Sequence, residues 1–159
     1  MAEEATIVRS QMIALESLRL VLPNTAIAEV VSYSQLELPE GKPDWFLGYA
    51  SWRGYQVPVV SFEVMINQRG SKPTRRSRII ILNSISADPD RAFYGLLATG
   101  IPRLMSLDET SIQNAPEIGD TDPLILRQVI ADKNAAIIPD QYELEATLKK
   151  NKLALMAEE

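Results

Sequence analysis

Two pairs of aspartates have the spacing that general acid–base catalysis could use, one at Asp88 and Asp90 and the other at Asp120 and Asp122. Such catalysis needs two carboxylates held in different environments. Both pairs, however, stand beside prolines in turn-like segments, where aspartate is favoured because it hydrogen-bonds the local backbone. We therefore interpret both pairs as turn residues, with a hydrolase as the disfavoured alternative.

The absence of two residue types excludes several kinds of catalytic and metal-binding site. None of the 159 residues is histidine or cysteine. Without them the chain cannot build a Ser-His-Asp triad, an imidazole general base or a thiolate metal site. The lack of cysteine also agrees with a reducing compartment, so we expect a cytoplasmic protein. We predict a protein that is not an enzyme and that holds no metal or cofactor.

A basic run is the strongest charge feature of the sequence. Its five cations are Arg69, Lys72, Arg75, Arg76 and Arg78. Such a run could contact phosphates or an acidic partner, or it could be a solvated loop. The net charge of −5 opposes nucleic acid binding, and no aromatic residue interrupts the run to stack on bases. We favour the solvated loop and expect no nucleic acid partner, and a small β-barrel nucleic-acid- or ligand-binding module using loop 69–78 is the alternative function.

The segment FLGYASWRGYQVPVVSFE places an arginine inside a strand-like run of β-branched and aromatic residues. Arg53 follows Trp52 and precedes Gly54, which predicts a turn between two strands. We predict that Arg53 meets Glu29 as a bidentate pair, because the rigid guanidinium fork matches a carboxylate and can order a recognition surface. Trp52 fits a buried or an exposed position equally well, whereas Trp45 favours the core.

Hydrophobic patterning predicts a chain of short strands. We expect a bent or bulged strand over residues 11–23, two strands over 46–63, a hairpin over 78–100 and a short strand over 135–139. Periodicity does not decide between helix and strand for residues 124–134. Pro58, which lacks a donor for a strand ladder, suits the edge or sharp bend of a small barrel. The pattern is typical of small β-barrels or a sandwich.

Helix signals appear at three places. Asn24 is a suitable N-cap for a short helix over residues 25–31, which would carry Glu29. Ser106 and Glu109 have the spacing of a capping box, and so do Asp140 and Glu143.

The second capping box predicts a C-terminal helix. In the segment QYELEATLKKNKLALM that follows Asp140, a single helical stripe would hold Leu144, Leu148 and Leu155.

No segment has the length of a membrane span. The longest uninterrupted apolar runs hold about half a dozen residues, against the roughly 20 that a bilayer requires. The N-terminal segment MAEEATIVRS is acidic and has no apolar centre, unlike a secretory or transit peptide. We expect no direct membrane insertion.

Two segments resemble the signature of CheW-like domains, the coupling proteins of chemotaxis. AIAEVV is similar to the V-x-E-[IV] of that family, and the segment WFLGYASWRGYQVPVVSFEVMI is similar to its Gly-x-x-Asn-Leu-Arg-Gly-x-x-[IV]-Pro-[IV]-Val-Asp-Leu pattern. The matching residues are Gly48, Arg53, Gly54, Val57, Pro58, Val59 and Val60. The later segments RIIILN and FYGLLATGIPRLMSLDETSI resemble the second half of the family, so the resemblance covers roughly residues 10 to 150.

The resemblance implies a mainly β fold of two packed SH3-like five-stranded β-barrels, with short helices and a C-terminal helix. It implies one CheW-like domain over residues 10–150, built from two intertwined barrel subdomains, with flexible termini at 1–9 and 151–159. It also implies a non-enzymatic adaptor that is recruited to membrane-associated receptor arrays. One surface would bind the cytoplasmic tip of a chemoreceptor, and another the regulatory domain of a histidine kinase.

The family places its helix glutamate and its Arg-Gly arginine near the receptor-binding groove. Carried onto this sequence, the resemblance predicts a protein-binding surface at Glu29, Trp52, Arg53, Gly54 and Pro58.

The sequence departs from the family pattern at several positions. Ser51-Trp52 replaces Asn-Leu, Ser61 replaces an acidic residue, and residues 98–101 replace a Val-Asp-x-Val segment. Residues 124–134 lack the usual glycine-rich turn. These departures resemble those of an accessory paralogue, such as a coupling protein of a chemosensory system for type IV pili and twitching motility.

Overall fold

The computed structural model describes residues 7–70, 72–108, 110–115 and 122–157. Within these ranges the chain is mainly β. Its strands are β1 (Val8–Ala14), β2 (Arg19–Pro23), β3 (Ile27–Ser32), β4 (Phe46–Trp52), β5 (Tyr55–Val60), β6 (Arg78–Asn83), β7 (Phe93–Ala98), β8 (Arg103–Leu107), β9 (Ile112–Asn114), β10 (Ile125–Ala131), β11 (Asn134–Pro139) and β12 (Met156–Ala157). Its helices are α1 (Phe62–Met65) and α2 (Gln141–Lys150), with 3-10 turns at Asn24–Ala26 and Pro89–Arg91.

The strands form two curled sheets. The first sheet has the order β8-β1-β2-β11-β10-β9, and the second has the order β4-β5-β7-β6-β3, with β12 also paired to β5. In the described part of the chain, each sheet thus contains five main strands and one short strand of two or three residues, β9 or β12. The predicted fold class of two packed five-stranded barrels with a C-terminal helix is confirmed.

The first sheet is assembled from the two ends of the chain. Its N-terminal hairpin β1–β2 pairs with strands that follow more than 80 residues later, with Val8 opposite Leu107 and Leu20 beside Ile137. The second sheet is formed mostly by the intervening residues, from β3 to β7. The first sheet is therefore discontinuous along the sequence.

The apolar run of β6 has both of its faces buried. Ile79 and Ile81 face the interior of the second sheet, whereas Ile80 and Leu82 face a central core between the sheets. All four side chains are fully buried. Because successive side chains of a strand point to opposite faces, a strand buried on both sides is apolar at every position.

The central core joins the two sheets and α2. Its fully buried large side chains include Ile13, Leu20, Leu22, Phe46, Phe62, Ile80, Leu82, Tyr94, Leu96, Leu144, Leu148 and Leu153. A smaller cluster fills the first sheet around Met12, Val21 and Val129, and another fills the second sheet around Trp52 and Val57. Burial of these apolar side chains supplies the main favourable free energy of folding.

The predicted helix over residues 25–31 is wrong. Asn24–Ala26 form a single 3-10 turn, and the residues that follow are the strand β3. The pairing of β3 with β6 shifts register between Ile27 and Glu29, which marks a β-bulge. Glu29 is therefore carried by a bulged strand at one edge of the second sheet, and not by a helix.

Other segments also differ from the sequence-based expectations. Residues 11–23 form a hairpin whose turn is held by the buried carboxylate of Glu63, which accepts hydrogen bonds from the backbone of Glu16 and Ser17 at 3.0 and 3.1 Å. Ser106 lies in strand β8, so no helix starts there, and Glu109 lies outside the described residues. Residues 125–131 form a strand, which decides the alternative left open for that segment.

The C-terminal helix begins as predicted. The carboxylate of Asp140 accepts a hydrogen bond from the backbone nitrogen of Glu143 at 3.1 Å, as an N-cap does. Leu144 and Leu148 are buried, but the helix ends at Lys150, so Leu155 does not continue its stripe.

Residues 151–157, the described part of the chain after the helix, stay on the body of the protein, whereas flexibility was expected from residue 151. Leu153 is fully buried in the central core, and β12 pairs with β5.

Candidate functional site

The turn between β4 and β5 holds Arg53 in an uncommon backbone conformation. Trp52 and Tyr55 face each other across the hairpin, so Arg53 and Gly54 are the two turn residues, with φ of +48° and +80°. Positive φ at both central residues is the geometry of a type I′ turn, which suits the right-handed twist of the flanking strands. An arginine has to bear steric strain there that glycine or asparagine largely avoids.

The carboxylate of Glu29 contacts the side chains of both Trp52 and Arg53. One carboxylate oxygen of Glu29 accepts a hydrogen bond from the Trp52 indole nitrogen at 2.8 Å. The other lies 2.9 Å from Nη2 of Arg53. The predicted pair between Glu29 and Arg53 is present, but it is not bidentate, because Trp52 takes the second carboxylate oxygen.

The indole of Trp52 is a platform for the arginine. The guanidinium carbon of Arg53 lies 4.9 Å from the ring centroid, within the range of a cation–π contact. The indole itself is buried and meets Phe93 edge to face at 5.0 Å between ring centroids. Trp52 thus belongs to the core of the second sheet and supports the surface from below. Trp45, the residue before β4, is partly buried against the central core, as favoured.

The electrostatics of the cluster favour an ionised Glu29. The hydrogen bond from Trp52 lowers the pKa of the Glu29 carboxyl below its ordinary value, and the hydrogen bond and charge of Arg53 lower it further. Partial burial acts in the opposite direction but is outweighed. The arginine side chain is 64% exposed, so its remaining nitrogens face solvent and are available to a partner.

The five predicted site residues do not all come together. Glu29, Trp52, Arg53 and Gly54 lie at one end of the second sheet, and Gly54 has open space where a side chain would project. Pro58 is buried inside β5, opposite Tyr49. It precedes the point where β5 begins to pair with β7 at Val59, so no ladder donor is needed there. Pro58 shapes the strand and does not reach the surface.

Two exposed apolar residues beside the turn were missed by the sequence reasoning. Tyr55 follows the turn and is partly exposed, and Met156 lies on β12, which pairs with β5 at Gln56 and Tyr55. No sequence signal pointed to Met156, because a two-residue strand near the C-terminus has no recognisable period. Met156 is the partner of Gln56 and Ala157 that of Tyr55, so the Met156 and Tyr55 side chains project from opposite faces of the sheet. Tyr55, directly after the turn, is the exposed apolar residue next to Arg53 and Gly54.

Asp88 and Asp122, one from each predicted aspartate pair, are turn residues. Asp88 caps the turn Pro89–Arg91 and forms an ion pair of 2.7 Å with Arg91, whose hydrogen bond lowers the pKa of the aspartate. Asp122 accepts a hydrogen bond from the backbone of Leu124 at 2.9 Å, and Asp120 lies outside the described residues. Among the described residues, no group of three or more carboxylates is close enough to hold a metal ion.

Comparison with known proteins decides the family. A model of the CheW-like domain matches residues 10–147, which is most of the chain.

The chain belongs to the CheW-like domain family.

CheW-like domains are non-enzymatic scaffolds of chemotaxis, and the expectation that this chain is not an enzyme agrees with its membership. The chain is 25% identical over 107 residues to the Chemotaxis protein CheW of Rhizobium meliloti (strain 1021). That match covers 67% of this chain and 66% of the relative, slightly less than two thirds of the relative's length.

The CheW-like fold is also seen in a solved structure. The crystal structure of scaffolding protein TtCheW from Thermoanaerobacter tengcongensis superposes with a TM-score of 0.71. The alignment covers 88% of each chain at 19% sequence identity, and it supports the architecture of two curled sheets. In the part of this CheW-like chain that the structure describes, no helix is long and apolar enough to cross a bilayer.

Proposed function

We propose that this CheW-like protein is a cytoplasmic adaptor that links chemoreceptor tips to the regulatory domain of a histidine kinase. The exposed surface around Arg53 and Glu29 would provide the receptor contact. The single observation that carries this assignment is the fixed position of Arg53, which a positive-φ turn, a carboxylate and an indole hold in one place.

The order of this surface before binding supports a recognition role. A long arginine side chain loses rotamer freedom when it is immobilised at an interface, and that loss reduces affinity. Here Glu29 and Trp52 already restrict the guanidinium in the free protein. The exposed Tyr55 next to the turn adds apolar area, and arginine and tyrosine are residue types enriched at protein interfaces.

The departures from the family pattern help to locate what is specific to this chain. Leucine in place of Trp52 could not donate to Glu29, so the indole adds a hydrogen bond that the family pattern lacks. Ser61 is buried, and its hydroxyl accepts a hydrogen bond from the backbone nitrogen of Val64 at the start of α1, so its effect on the exposed surface is small.

We propose that the chain is an accessory coupling protein of a type IV pilus and twitching system, because its departures from the family pattern resemble those of such a paralogue. Of the departures from the family pattern, tryptophan in place of leucine at Trp52 is the one that changes the proposed receptor-facing surface around Arg53 and Glu29.

Calorimetric titration with a receptor-tip fragment and, separately, with the kinase regulatory domain tests the adaptor function. We expect micromolar binding to both partners. Arg53→Asn removes the guanidinium but keeps a residue that tolerates positive φ. We expect this variant to bind the receptor tip at least about tenfold more weakly, with an unchanged melting temperature.

Arg103→Asn is the matched control, because Arg103 also belongs to an exposed ion pair, with Asp132 at 3.3 Å, but lies on the first sheet. We expect it to bind the receptor tip normally. Failure of the natural chain to bind either partner would contradict the adaptor function. Equal affinities for Arg53→Asn and the natural chain would instead remove the proposed contact surface.

A further inference from the structure

A second cationic surface lies at residues 72–78, which we name the basic turn. Its backbone is fixed by its own side chains. The hydroxyl of Ser77 accepts a hydrogen bond from the backbone nitrogen of Thr74 at 2.8 Å, and the Thr74 hydroxyl accepts one from the backbone nitrogen of Arg76 at 3.1 Å. The turn therefore has a defined shape that does not depend on a partner.

Arg78 reinforces this shape from inside the turn. Its Nη1 donates to the carbonyl oxygens of Arg75, Arg76 and Ser77 at 3.2, 3.1 and 2.9 Å. The carbonyl of Ser77 also accepts a hydrogen bond from the backbone nitrogen of Tyr33, just after β3. These contacts tie the turn to the edge of the second sheet.

The other three cations of the basic turn point outward. Lys72, Arg75 and Arg76 are exposed, and none of them forms an ion pair with a carboxylate in the described ranges of the chain. Unpaired cations on a fixed backbone can bind a carboxylate without first breaking an internal ion pair. Charge-assisted hydrogen bonds from arginine to carboxylate are stronger than neutral ones.

The distribution of charge along the chain favours a short anionic partner over a long one. The run 69–78 contains 5 of the 16 cations, which leaves 11 cations against 21 acidic residues, or −10, elsewhere in the sequence. A long polyanion such as nucleic acid, or an extended anionic membrane, would have to approach that acidic remainder. A short acidic segment can contact the turn alone.

We propose that the basic turn binds a short, glutamate- or aspartate-rich peptide segment of a partner protein, with Lys72, Arg75 and Arg76 contacting its carboxylates. This site is separate from the surface around Arg53 and does not depend on the adaptor function. Residues 67–78 contain no aromatic side chain, which also disfavours base stacking on a single-stranded nucleic acid.

The test is fluorescence anisotropy with the full chain and a labelled ten-residue peptide of alternating glutamate and glycine. We expect saturable binding that weakens as sodium chloride is raised from about 50 to about 300 mM, because salt screens exposed charges. A peptide with glutamine in place of glutamate should not bind. The absence of binding to the acidic peptide would overturn the proposal.

Arg75→Glu/Arg76→Glu should weaken peptide binding at least about tenfold, because it places like charges opposite the peptide. Arg9→Glu/Arg19→Glu changes two exposed arginines elsewhere and gives the same net charge, so we expect less than about a twofold effect from it. Equal losses of peptide affinity in the two variants would show that the peptide is attracted only by net charge, and would overturn the proposal.

Two further measurements complete the test. Arg75→Gln/Arg76→Gln, which removes the charges without reversing them, should bind with intermediate affinity and should melt at the same temperature as the natural chain. A labelled single-stranded oligonucleotide and vesicles with anionic lipid serve as competing probes. Tighter binding to either probe than to the acidic peptide would overturn the assignment of a peptide partner.

Discussion

The carboxylate of Glu29 and the indole of Trp52, 2.8 Å apart, connect two strands that share no backbone hydrogen bonds. Glu29 lies on β3 and Trp52 ends β4, and the pairing order places these strands at opposite edges of the five main strands of the second sheet. The side-chain bond therefore bridges the open seam of a curled sheet. The same carboxylate orients Arg53, so closure of the sheet and order of the exposed surface depend on one residue.

The ionisation of Glu29 should control the position of the Trp52 indole. Because the folded-state pKa of Glu29 lies below the ordinary value of 4.5, its contribution to stability is present above that value and is lost as the pH falls through the folded pKa. We expect the indole N–H resonance of Trp52 to move in a transition centred below pH 4.5 in a nitrogen-15 NMR titration. The chain has two tryptophans, so the assignment needs only one Trp→Phe variant.

Glu29→Gln is the control for this titration. It keeps an oxygen that can accept the indole hydrogen bond but cannot ionise, so the Trp52 resonance should be flat over the same pH range. A transition of the natural chain centred at or above pH 4.5 would contradict the lowered pKa.

The buried carboxylate of Glu145 should be more important for stability than for recognition. Glu145 on α2 accepts hydrogen bonds from the hydroxyls of Ser84, Ser86 and Tyr94 and from the backbone nitrogens of Ile85 and Ser86. Glu145→Ala would remove this acceptor from the buried Tyr94 hydroxyl and from the partly buried donors of Ser84 and Ser86, so we expect the free energy of unfolding to fall by about 3 kcal/mol in urea denaturation.

Glu143→Ala on the exposed side of the same helix is the matched control, with an expected loss of less than about 1 kcal/mol. Burial raises the pKa of Glu145, but the hydrogen bonds from Ser84, Ser86 and the backbone outweigh burial and lower it. The stabilisation should therefore disappear as the pH falls through this lowered pKa. Equal effects of the two alanine substitutions would contradict the role of the carboxylate.

Gly48 should tolerate no side chain. Its φ is +129°, and a Cβ there would lie 2.7 Å from the carbonyl oxygen of Glu37 and 2.8 Å from the Cβ of Leu36. Because backbone atoms cannot yield easily, we expect Gly48→Ala to lower the free energy of unfolding by about 3 kcal/mol. Gly41→Ala, at φ +78° in open space, should lose only about 1 kcal/mol from backbone strain. Thermal denaturation of both variants makes the comparison, and a reversed order would refute the close approach.

The segment after α2 should contribute to stability. Leu153 is fully buried in the central core, so Leu153→Ala removes packed methyl groups and leaves a cavity. We expect a loss of about 3 kcal/mol in chemical denaturation. Met156→Ala changes a partly exposed residue of β12 and should cost less than about 1 kcal/mol. An unaffected Leu153→Ala variant would show that this segment does not pack on the core in solution.

The prediction of Glu29 as a helical residue failed for an identifiable reason. The bulge in β3 interrupts the strict alternation of the strand, so Ile27 and Val30 face the central core while Ala28 and Val31 face the interior of the second sheet. Apolar residues three apart on one face imitate a helical period. The pairing of Glu29 with Arg53 could still be anticipated, because it rests on charge and geometry rather than on the type of element.

The other features that the sequence did not predict depend on contacts between residues that are far apart in the chain. The Arg53-Gly54 turn and the N-cap at Asp140 are local and were predictable. The turn of the first hairpin instead depends on the carboxylate of Glu63, 46 residues away from Ser17. Likewise, Met156 joins the site region only because β12 pairs with β5. Neither contact leaves a signal in the local sequence.

The threading of the chain through its two sheets imposes an order on folding during synthesis. A nascent chain that has emerged as far as Ala98 holds every strand from β3 to β7, which are neighbours in the second sheet. The hairpin β1–β2 must wait for β8 and β11, so its apolar strand edges are unpaired while the ribosome adds the last third of the chain. The second sheet can thus assemble first and act as a template, and a chain cut before Asn134 would retain β8 beside β1 but leave β2 without its partner β11 and prone to aggregate.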